Sequence, residues 1–313
     1  MKNKHFSLET WANPLSKEFR SAPFWSWNGK LDELELRRQI RNFKTMGVGG
    51  FFMHSRIGLA TPYLSHEWFE LINACIDEAK KLDMNAWLYD EDRWPSGYAG
   101  GLVTQTPEYR MQLIYLTEIA FEQCSSYLLS ENTVALFAAK VSGNCASGVR
   151  RITQPDEVRL NETMLLFTLM TAAPSDWYNG GCYLNPMNPA AVRRFIELTH
   201  EAYFKNCGNE FGKNVPGIFT DEPQYGFVTT HLEWAGETDY STPYDPHIRE
   251  LIMTRHGYDI FENLPELFFD INEIDFHVTR LHYIGVMTEL FLKIMPVPLA
   301  NGANGTTCVI PGM

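Results

Sequence analysis

Short apolar runs that alternate with amphipathic stretches constrain the fold of this 313-residue chain more than any other feature. Four runs are typical of β-strands, namely APFWSWNG at 22–29, VGGFFMHS at 48–55, NAWLYDE at 85–91 and VPGIFTDEP at 215–223. Strands that alternate with helices predict a parallel sheet, whose strands are buried on both faces and read as continuous apolar runs. The pattern therefore indicates an α/β fold, either a (β/α)8 barrel of the TIM type or a doubly wound sheet.

The sequence between these runs carries signals for helices. Asp32 and Glu35 have the spacing of a capping box, and Asn188 with Pro189 forms an N-cap and first-turn pair. Ser65 precedes a stretch whose apolar residues recur on one helical face, namely Trp68, Leu71, Ile72, Cys75, Ile76 and Ala79. No GxGxxG or GxxxxGK[ST] pattern follows any strand, so we expect no nucleotide cofactor and favour the TIM-type barrel.

The alternation is interrupted in the middle of the chain. Residues 110–175 contain β-rich runs without helical periodicity and predict an inserted antiparallel module. We expect residues 1–109 to form the first three β/α units and residues 176–295 to continue the barrel with its fourth strand. The stretch 296–313 shows no helical pattern, so we interpret it as an irregular, non-native tail. Only about the first half of a barrel is then present, with open strand edges.

Composition narrows the classes of partner and location. The formal net charge of -12 opposes nucleic-acid phosphates and anionic membranes, so we expect neither partner. No apolar run approaches the ~20 residues that span a bilayer, and the first residues lack the apolar core of a secretory signal. We therefore expect a cytoplasmic chain. Its six cysteines show no CxxC pair or zinc-like spacing and are interpreted as reduced thiols. The sequence leaves the oligomeric state open.

Polar side chains follow all four predicted strands. The strand ends contain Trp27-Asn28, His54-Ser55, Asp90-Glu91 and Asp221-Glu222. Chemistry in parallel α/β folds lies at the carboxyl ends of strands, and a turn has no need of glutamate. Carboxylates on different strands suit glycosidic bond cleavage, which needs a proton donor and a base or nucleophile. Glu91 and Glu222 are the predicted catalytic pair.

Other residues at these ends favour a sugar substrate, either an oligosaccharide or a simple glycoside. Flat aromatic side chains cover the apolar face of a pyranose, while amides and carboxylates bind its hydroxyl groups. Trp25 and Trp27 share one strand face, so packing in the barrel core is the alternative to a sugar contact for this pair. The predicted substrate-binding residues are Trp25, Trp27, Asn28, His54, Asp90, Arg93, Trp94 and Asp221.

Five motifs give the chain a family resemblance. PFWSWNG, GGFFMHSR, WLYDEDRWPSGYAGG, NPAAVRRFIELTHEAY and PGIFTDEP together resemble the barrel of glycoside hydrolase family 106, the α-L-rhamnosidase-like enzymes. The resemblance spans about residues 20–290. It implies a (β/α)8 catalytic domain, inversion at the anomeric carbon and dependence on Ca²⁺. It also implies that Glu91 and Glu222 are the catalytic carboxylates, without assigning acid and base, and it leaves the calcium ligands unknown.

Two other functions remain open from the sequence. Members of the family are far longer, so the chain could instead be a carbohydrate-binding fragment that is catalytically incomplete. A metal-dependent hydrolase is the third hypothesis. It requires His54, Asp90 and Asp221 to converge on one ion.

Overall fold

The computed structural model describes residues 16–224, 240–271 and 274–294. In chain order its strands are β1 Phe24–Trp27, β2 Gly50–Ser55, β3 Asn85–Tyr89, β4 Gln112–Ala120, β5 Thr133–Ser142, β6 Cys145–Ile152, β7 Thr163–Thr171, β8 Ile218–Phe219, β9 Tyr240–Tyr244 and β10 Asp270–Ile271. Its α-helices are α1 Glu33–Thr45, α2 His66–Lys81, α3 Phe121–Cys124, α4 Pro189–Leu198, α5 His200–Cys207, α6 Pro246–His256, α7 Leu264–Phe268 and α8 Phe276–Ile294. The chain divides into two compact units.

Unit 1 takes the described residues up to Val103 together with Arg193–Pro223. Its four strands form a parallel sheet in the order β1-β2-β3-β8. The predicted strands and their parallel pairing are confirmed. The result is a mixed α/β fold with a parallel sheet, which is consistent with part of a barrel.

The two faces of this sheet differ because successive side chains of a strand point to opposite sides. On one face, which we call the helix face, Trp25, Phe51 and Leu88 join a core that includes residues of α1, α2 and α5. On the second face, Phe24 is 52% exposed, and its ring contacts Phe52 and Phe219. Polar side chains at the strand ends therefore point toward one or the other of these two faces.

The predicted helix starts are confirmed by their capping bonds. Asp32 Oδ1 accepts the Glu35 N–H at 2.9 Å, and Ser65 Oγ accepts the Trp68 N–H at 3.2 Å. Asn188 Oδ1 accepts the N–H of Ala190 at 2.9 Å, one residue inside α4. Each side-chain oxygen satisfies a backbone donor that has no partner within its helix.

Unit 2 takes Thr104–Val192 together with the described residues from Gln224 onward. Its six-stranded sheet has the order β10-β6-β5-β7-β4-β9. The strands β4 to β7 pair antiparallel with one another, and β4 and β7 are in register from Gln112 opposite Thr171 to Ala120 opposite Thr163. These four strands therefore form an antiparallel run.

The boundary expected at 176–295 needs correction. Strand β8 belongs to unit 1, but β9 pairs with β4 and β10 pairs with β6. Helices α6, α7 and α8 contribute to the core of unit 2 through residues such as Ile252, Phe268 and Val286. The described elements of 240–271 and 274–294 thus belong to the second sheet and its core, and not to the parallel sheet of unit 1.

The described ranges also show the state of five cysteines and the lengths of the helices. Cysteines 75, 124, 145, 182 and 207 are free thiols. None of the helices in the described part of the chain is long and apolar enough to cross a membrane. The predicted irregular tail at 296–313 lies outside the described residues.

Candidate active site at the ends of β3 and β8

Five acidic residues follow the adjacent strands β3 and β8 in unit 1. Asp90, Glu91 and Asp92 come after β3, and Asp221 and Glu222 come after β8. Asp90 and Glu91 are fully buried, and Asp92 is 6% exposed. The side chain of Asp221 is 19% exposed, and Glu222 is exposed. Solvent therefore reaches the acids of β8 much more readily than those of β3.

Glu91 is surrounded by the backbone of the loop that follows it. Its Oε1 accepts the N–H groups of Asp92 at 2.8 Å and Gly100 at 2.6 Å. Its Oε2 accepts the N–H groups of Gly97, Tyr98 and Ala99 at 2.9, 2.9 and 2.8 Å. Burial raises the pKa of this carboxyl to about 8, although these N–H groups act to lower it. A proton on either oxygen would point at an N–H donor, so the loop fits the carboxylate form.

Unusual backbone angles let these N–H groups converge. The loop has positive φ angles at Gly97 (143°), Ala99 (50°) and Gly100 (63°). A Cβ on Gly100 would lie 3.2 Å from the Cβ of Asp92, and its left-handed φ favours glycine as well. Successive N–H groups in such turns form a concave anion site. Here the occupant of that site is Glu91. We expected Glu91 to face a sugar, and the structure instead places it beneath the loop.

Asp90 points toward the helix face of the sheet. Its Oδ1 accepts the hydroxyl of Ser96 at 2.6 Å, and its Oδ2 accepts the hydroxyl of Thr220 at 2.6 Å. His200 Nε2, from α5, lies 3.3 Å from the same Oδ2. Both carboxylate oxygens of Asp90, a predicted substrate-binding residue, are therefore turned into the protein.

Ser96 joins the loop to the end of β8. Its hydroxyl oxygen accepts the Asp221 N–H at 2.9 Å, and its own N–H donates to the Asp221 carbonyl at 2.8 Å. Ser96 is fully buried. The loop after β3 and the segment after β8 thus have fixed positions relative to each other.

Asp221 lies among polar and aromatic groups at the strand ends. Its Oδ2 accepts the Tyr89 hydroxyl at 3.2 Å and lies 4.0 Å from His54 Nε2. Burial is the main cause that raises the pKa of Asp221, and the negative charge of Glu222 acts in the same direction. Asp221 thus keeps its proton to a higher pH than an exposed aspartate does.

Glu222 has a strained backbone and an exposed side chain. Its φ of 43° is in the left-handed region, and it precedes Pro223, which disfavours helical angles at the preceding residue. Such conformations cost on the order of 1–3 kcal/mol and concentrate at functional sites. The indole Nε1 of Trp94 donates to Glu222 Oε2 at 3.0 Å. Trp94 and Glu222, both predicted site residues, therefore lie together.

His54 is buried at the end of β2, with 3% of its surface exposed. Its ring stacks on Tyr89 with centroids 3.9 Å apart. Burial lowers the pKa of His54 to about 4, and the nearby Arg56 charge acts in the same direction. The imidazole is therefore neutral at pH 7 and belongs to the same group of side chains as Asp221.

The remaining predicted substrate residues have other positions. Trp25 and Trp27 are 8% and 2% exposed, and their rings pack edge to face in the helix-face core. Both tryptophans therefore pack in this core, because β1 turns them toward the helices. Asn28 is exposed, and Arg93 Nε donates to Asp92 Oδ2 at 3.3 Å. Arg93 therefore pairs with the loop acid.

The side chains do not fit a metal site. Among the residues that the structure describes, no three His, Cys, Asp or Glu side chains are grouped to hold an ion. Asp90 turns to Ser96 and Thr220, whereas Asp221 turns to Tyr89, so the trio expected for a metal-dependent hydrolase does not converge. The oxygens of Glu91 are occupied by backbone N–H groups.

Sequence reasoning missed three residues of this site. Ser96, Thr220 and Tyr89 connect the acids, yet each has a residue type that strands and turns use freely. A partial signal was available for Tyr89 and Thr220, because each directly precedes a predicted strand-end acid, Asp90 and Asp221 respectively. Nothing in the sequence distinguishes Ser96 from an ordinary turn serine.

The fold of this chain is similar to that of a known enzyme. The structure is similar to that of a rhamnosidase from Novosphingobium sp. PP1Y, with a TM-score of 0.57 and 11% sequence identity. The match covers 93% of this chain and 45% of the rhamnosidase chain, so the chain spans less than half of that protein. No protein-family model and no curated protein matches the sequence. The likeness shows that this chain shares its fold with part of that rhamnosidase.

Proposed function

We propose that this chain carries the acid–base site of a glycoside hydrolase that releases terminal α-L-rhamnosyl or related sugars. The observation that carries the proposal is the pair Asp221 and Glu222, which reaches solvent at the end of a parallel strand. Chemistry in α/β folds concentrates at such ends. The fold of the rhamnosidase and the five motifs of family 106 support the reaction class and the sugar.

The two carboxyl groups have environments that suit different roles. Burial raises the pKa of Asp221, which favours a proton donor to the leaving oxygen. Glu222 is exposed and oriented by the Trp94 indole, which favours a base that activates water at the anomeric carbon. Inversion requires about 6.5–9.5 Å between the two carboxyl groups so that water fits between them and the sugar.

Glu91 enters this proposal as a positioning residue. A carboxylate that exchanges protons with a substrate has to reach it, and Glu91 is fully buried with both oxygens bound to N–H groups. The loop that it organises carries Trp94, whose ring can cover the apolar face of a sugar beside Glu222. The predicted pair of Glu91 and Glu222 is the competing assignment.

The test is release of aryl alcohol from an aryl α-L-rhamnoside by Asp221→Asn, Glu222→Gln and a matched control, Glu131→Gln. Glu131 is exposed in unit 2. We expect kcat to fall at least about 100-fold for both site variants and to stay unchanged in the control. Unchanged kcat in Asp221→Asn and Glu222→Gln would reject the site. Chelator in a parallel series tests the Ca²⁺ that the family resemblance implies.

Chemical rescue separates the two assignments. Glu222 is exposed, so added formate should restore turnover to Glu222→Ala by replacing the missing carboxylate. Glu91→Ala leaves a cavity beneath the loop. Formate that enters this cavity should restore turnover only as far as it restores the position of the loop. Rescue of Glu91→Ala to the level of Glu222→Ala would support the originally predicted pair.

A carbohydrate-binding chain without turnover is the second candidate. The observation that favours it is the burial of Glu91, one of the two predicted catalytic carboxylates, with both oxygens bound to backbone N–H groups. Calorimetry with L-rhamnose and a rhamnoside decides: saturable heat without product release supports binding alone, and product release supports the hydrolase.

A further inference from the structure

Strand β8 is short, and its continuation depends on a side chain from another segment. Its ladder with β3 covers only Leu88 opposite Ile218 and Tyr89 opposite Phe219. Asp90 N–H still donates to the Phe219 carbonyl at 3.2 Å. Beyond that point the backbone of Asp221 bonds to Ser96, through one bond from its N–H and one to its carbonyl. Ser96 therefore takes the place of a neighbouring strand at the proposed site.

The hydroxyl of Ser96 has its two roles fixed by its partners. It donates to Asp90 Oδ1 at 2.6 Å, so its lone pairs face the Asp221 N–H at 2.9 Å. Asp90 cannot turn toward another donor freely, because its Oδ2 accepts Thr220 at 2.6 Å. Thr220, which directly precedes Asp221, is thus bonded to Asp90 at the end of β3.

The loop itself has a fixed position because Glu91 accepts its N–H groups. Gly97, which follows Ser96 directly, donates to Glu91 Oε2 at 2.9 Å. Three contacts therefore hold the site together: Glu91 binds the loop, Ser96 of the loop binds the Asp221 backbone, and Trp94 of the loop binds Glu222. Rotation of the Asp221 backbone would move both carboxyl groups of the proposed pair together.

We propose that Ser96 is a positioning residue that sets the orientation of Asp221 and Glu222 for the reaction. This inference rests on the proposed function for its catalytic consequence, and its structural part is measurable without any substrate. Positioning errors near 1 Å can lower rates about 100-fold, so a lost hydroxyl that touches no substrate still affects turnover. Ser96 acts through the backbone of Asp221.

The test compares Ser96→Ala with the matched variant Ser55→Ala. Both serines are fully buried at the same end of the sheet, and the Ser55 hydroxyl donates to Asp92 Oδ1 at 3.0 Å. Amide hydrogen exchange of a peptide containing residues 219–222 is measured without substrate. We expect Ser96→Ala to speed exchange there by about tenfold, and Ser55→Ala to leave it within about twofold, because only Ser96 accepts the Asp221 N–H.

Turnover of the aryl rhamnoside gives the second readout. We expect kcat to fall about 10- to 100-fold in Ser96→Ala with KM nearly unchanged, because the variant misplaces reacting groups and removes no substrate contact. The pH profile should also shift, with the limb governed by Asp221 moving to lower pH as water enters. A variant that only loosened the fold would leave that limb in place.

The outcomes separate the inference from the function. Faster exchange at 219–222 without turnover in the unaltered chain supports the contact and rejects the proposed function. Unchanged exchange in a folded Ser96→Ala chain overturns the inference, whatever the turnover. Should Ser96→Ala fail to fold, exchange of the Asp221 amide in the unaltered chain decides. Protection of that amide supports the inference, and exchange at the rate of a free peptide overturns it.

Discussion

At the scale of single residues, the three adjacent acids after β3 are tolerated because each has its own donors. Asp90 accepts two hydroxyl groups, Glu91 accepts backbone N–H groups, and Asp92 accepts Ser55 and lies beside Arg93. Burial opposes the charge of a carboxylate, and hydrogen bonds to the charged form compensate for that cost. Repulsion between neighbours in the sequence is limited because their side chains point in different directions.

His54 makes stability depend on pH in a predictable direction. Its folded pKa is lowered to about 4 from an ordinary value of 6.5, so the unfolded chain binds the proton more readily. The stabilising contribution is therefore complete above about pH 6.5 and is lost as pH falls toward 4. We expect the free energy of unfolding to fall by about 2–3 kcal/mol over this window from His54 alone. Urea unfolding at several pH values measures it.

The control for this prediction removes the titrating ring. His54→Leu should flatten the pH dependence between 6.5 and 4, whereas His66→Gln should not, because the side chain of His66 is 89% exposed. An equal slope in the unaltered chain and in His54→Leu would show that other groups cause the dependence.

At the scale of elements, local signals predicted the helices, and distant pairings had no local signal. The caps Asp32, Ser65 and Asn188 lie within three residues of the N–H groups that they satisfy. By contrast, β9 pairs with β4 across more than a hundred residues, and nothing in YSTPY specifies that partner. Residues 240–294 were therefore placed in the wrong sheet, although their own elements are ordinary.

The candidate site also has features that the sequence could predict and features that it could not. The carboxyl-end rule located Asp221, Glu222 and His54 from the strand pattern alone. It could not show that Glu91 lies beneath its own loop, because that depends on positive φ angles at Gly97, Ala99 and Gly100. Glycine permits such angles without requiring them, and Ala99 gives no signal at all.

The cap of α2 gives a prediction at this scale. Ser65→Ala removes the oxygen that accepts the Trp68 N–H and should lower the free energy of unfolding by about 1 kcal/mol. Ser65→Asp keeps an acceptor and places a negative charge at the helix N-terminus, so it should be neutral or stabilising. Denaturant unfolding of both variants measures the difference. Equal destabilisation by Ala and Asp would show that the cap bond does not contribute.

At the scale of the whole molecule, two cores form from non-contiguous segments of one chain. The chain leaves unit 1 after Val103, builds part of unit 2, and returns to unit 1 at Arg193. The core of unit 1 consists of residues from β1 to β3 and their helices, whereas that of unit 2 consists of residues from its own sheet and α6 to α8. A region that forms its own core can lose structure as a cooperative block.

Matched substitutions in the two cores test that independence. Ile72 in α2 and Ile114 in β4 are both fully buried, one in each core. Each Ile→Ala change removes the same atoms and should cost about 2–5 kcal/mol. We expect Ile72→Ala to reduce hydrogen-exchange protection in β1 to β3 and leave β5 to β7 protected, with the reverse for Ile114→Ala. The double variant should show additive effects, because the substituted residues share no core. If either single variant lowered protection equally in both sheets, the two units would unfold as one cooperative block.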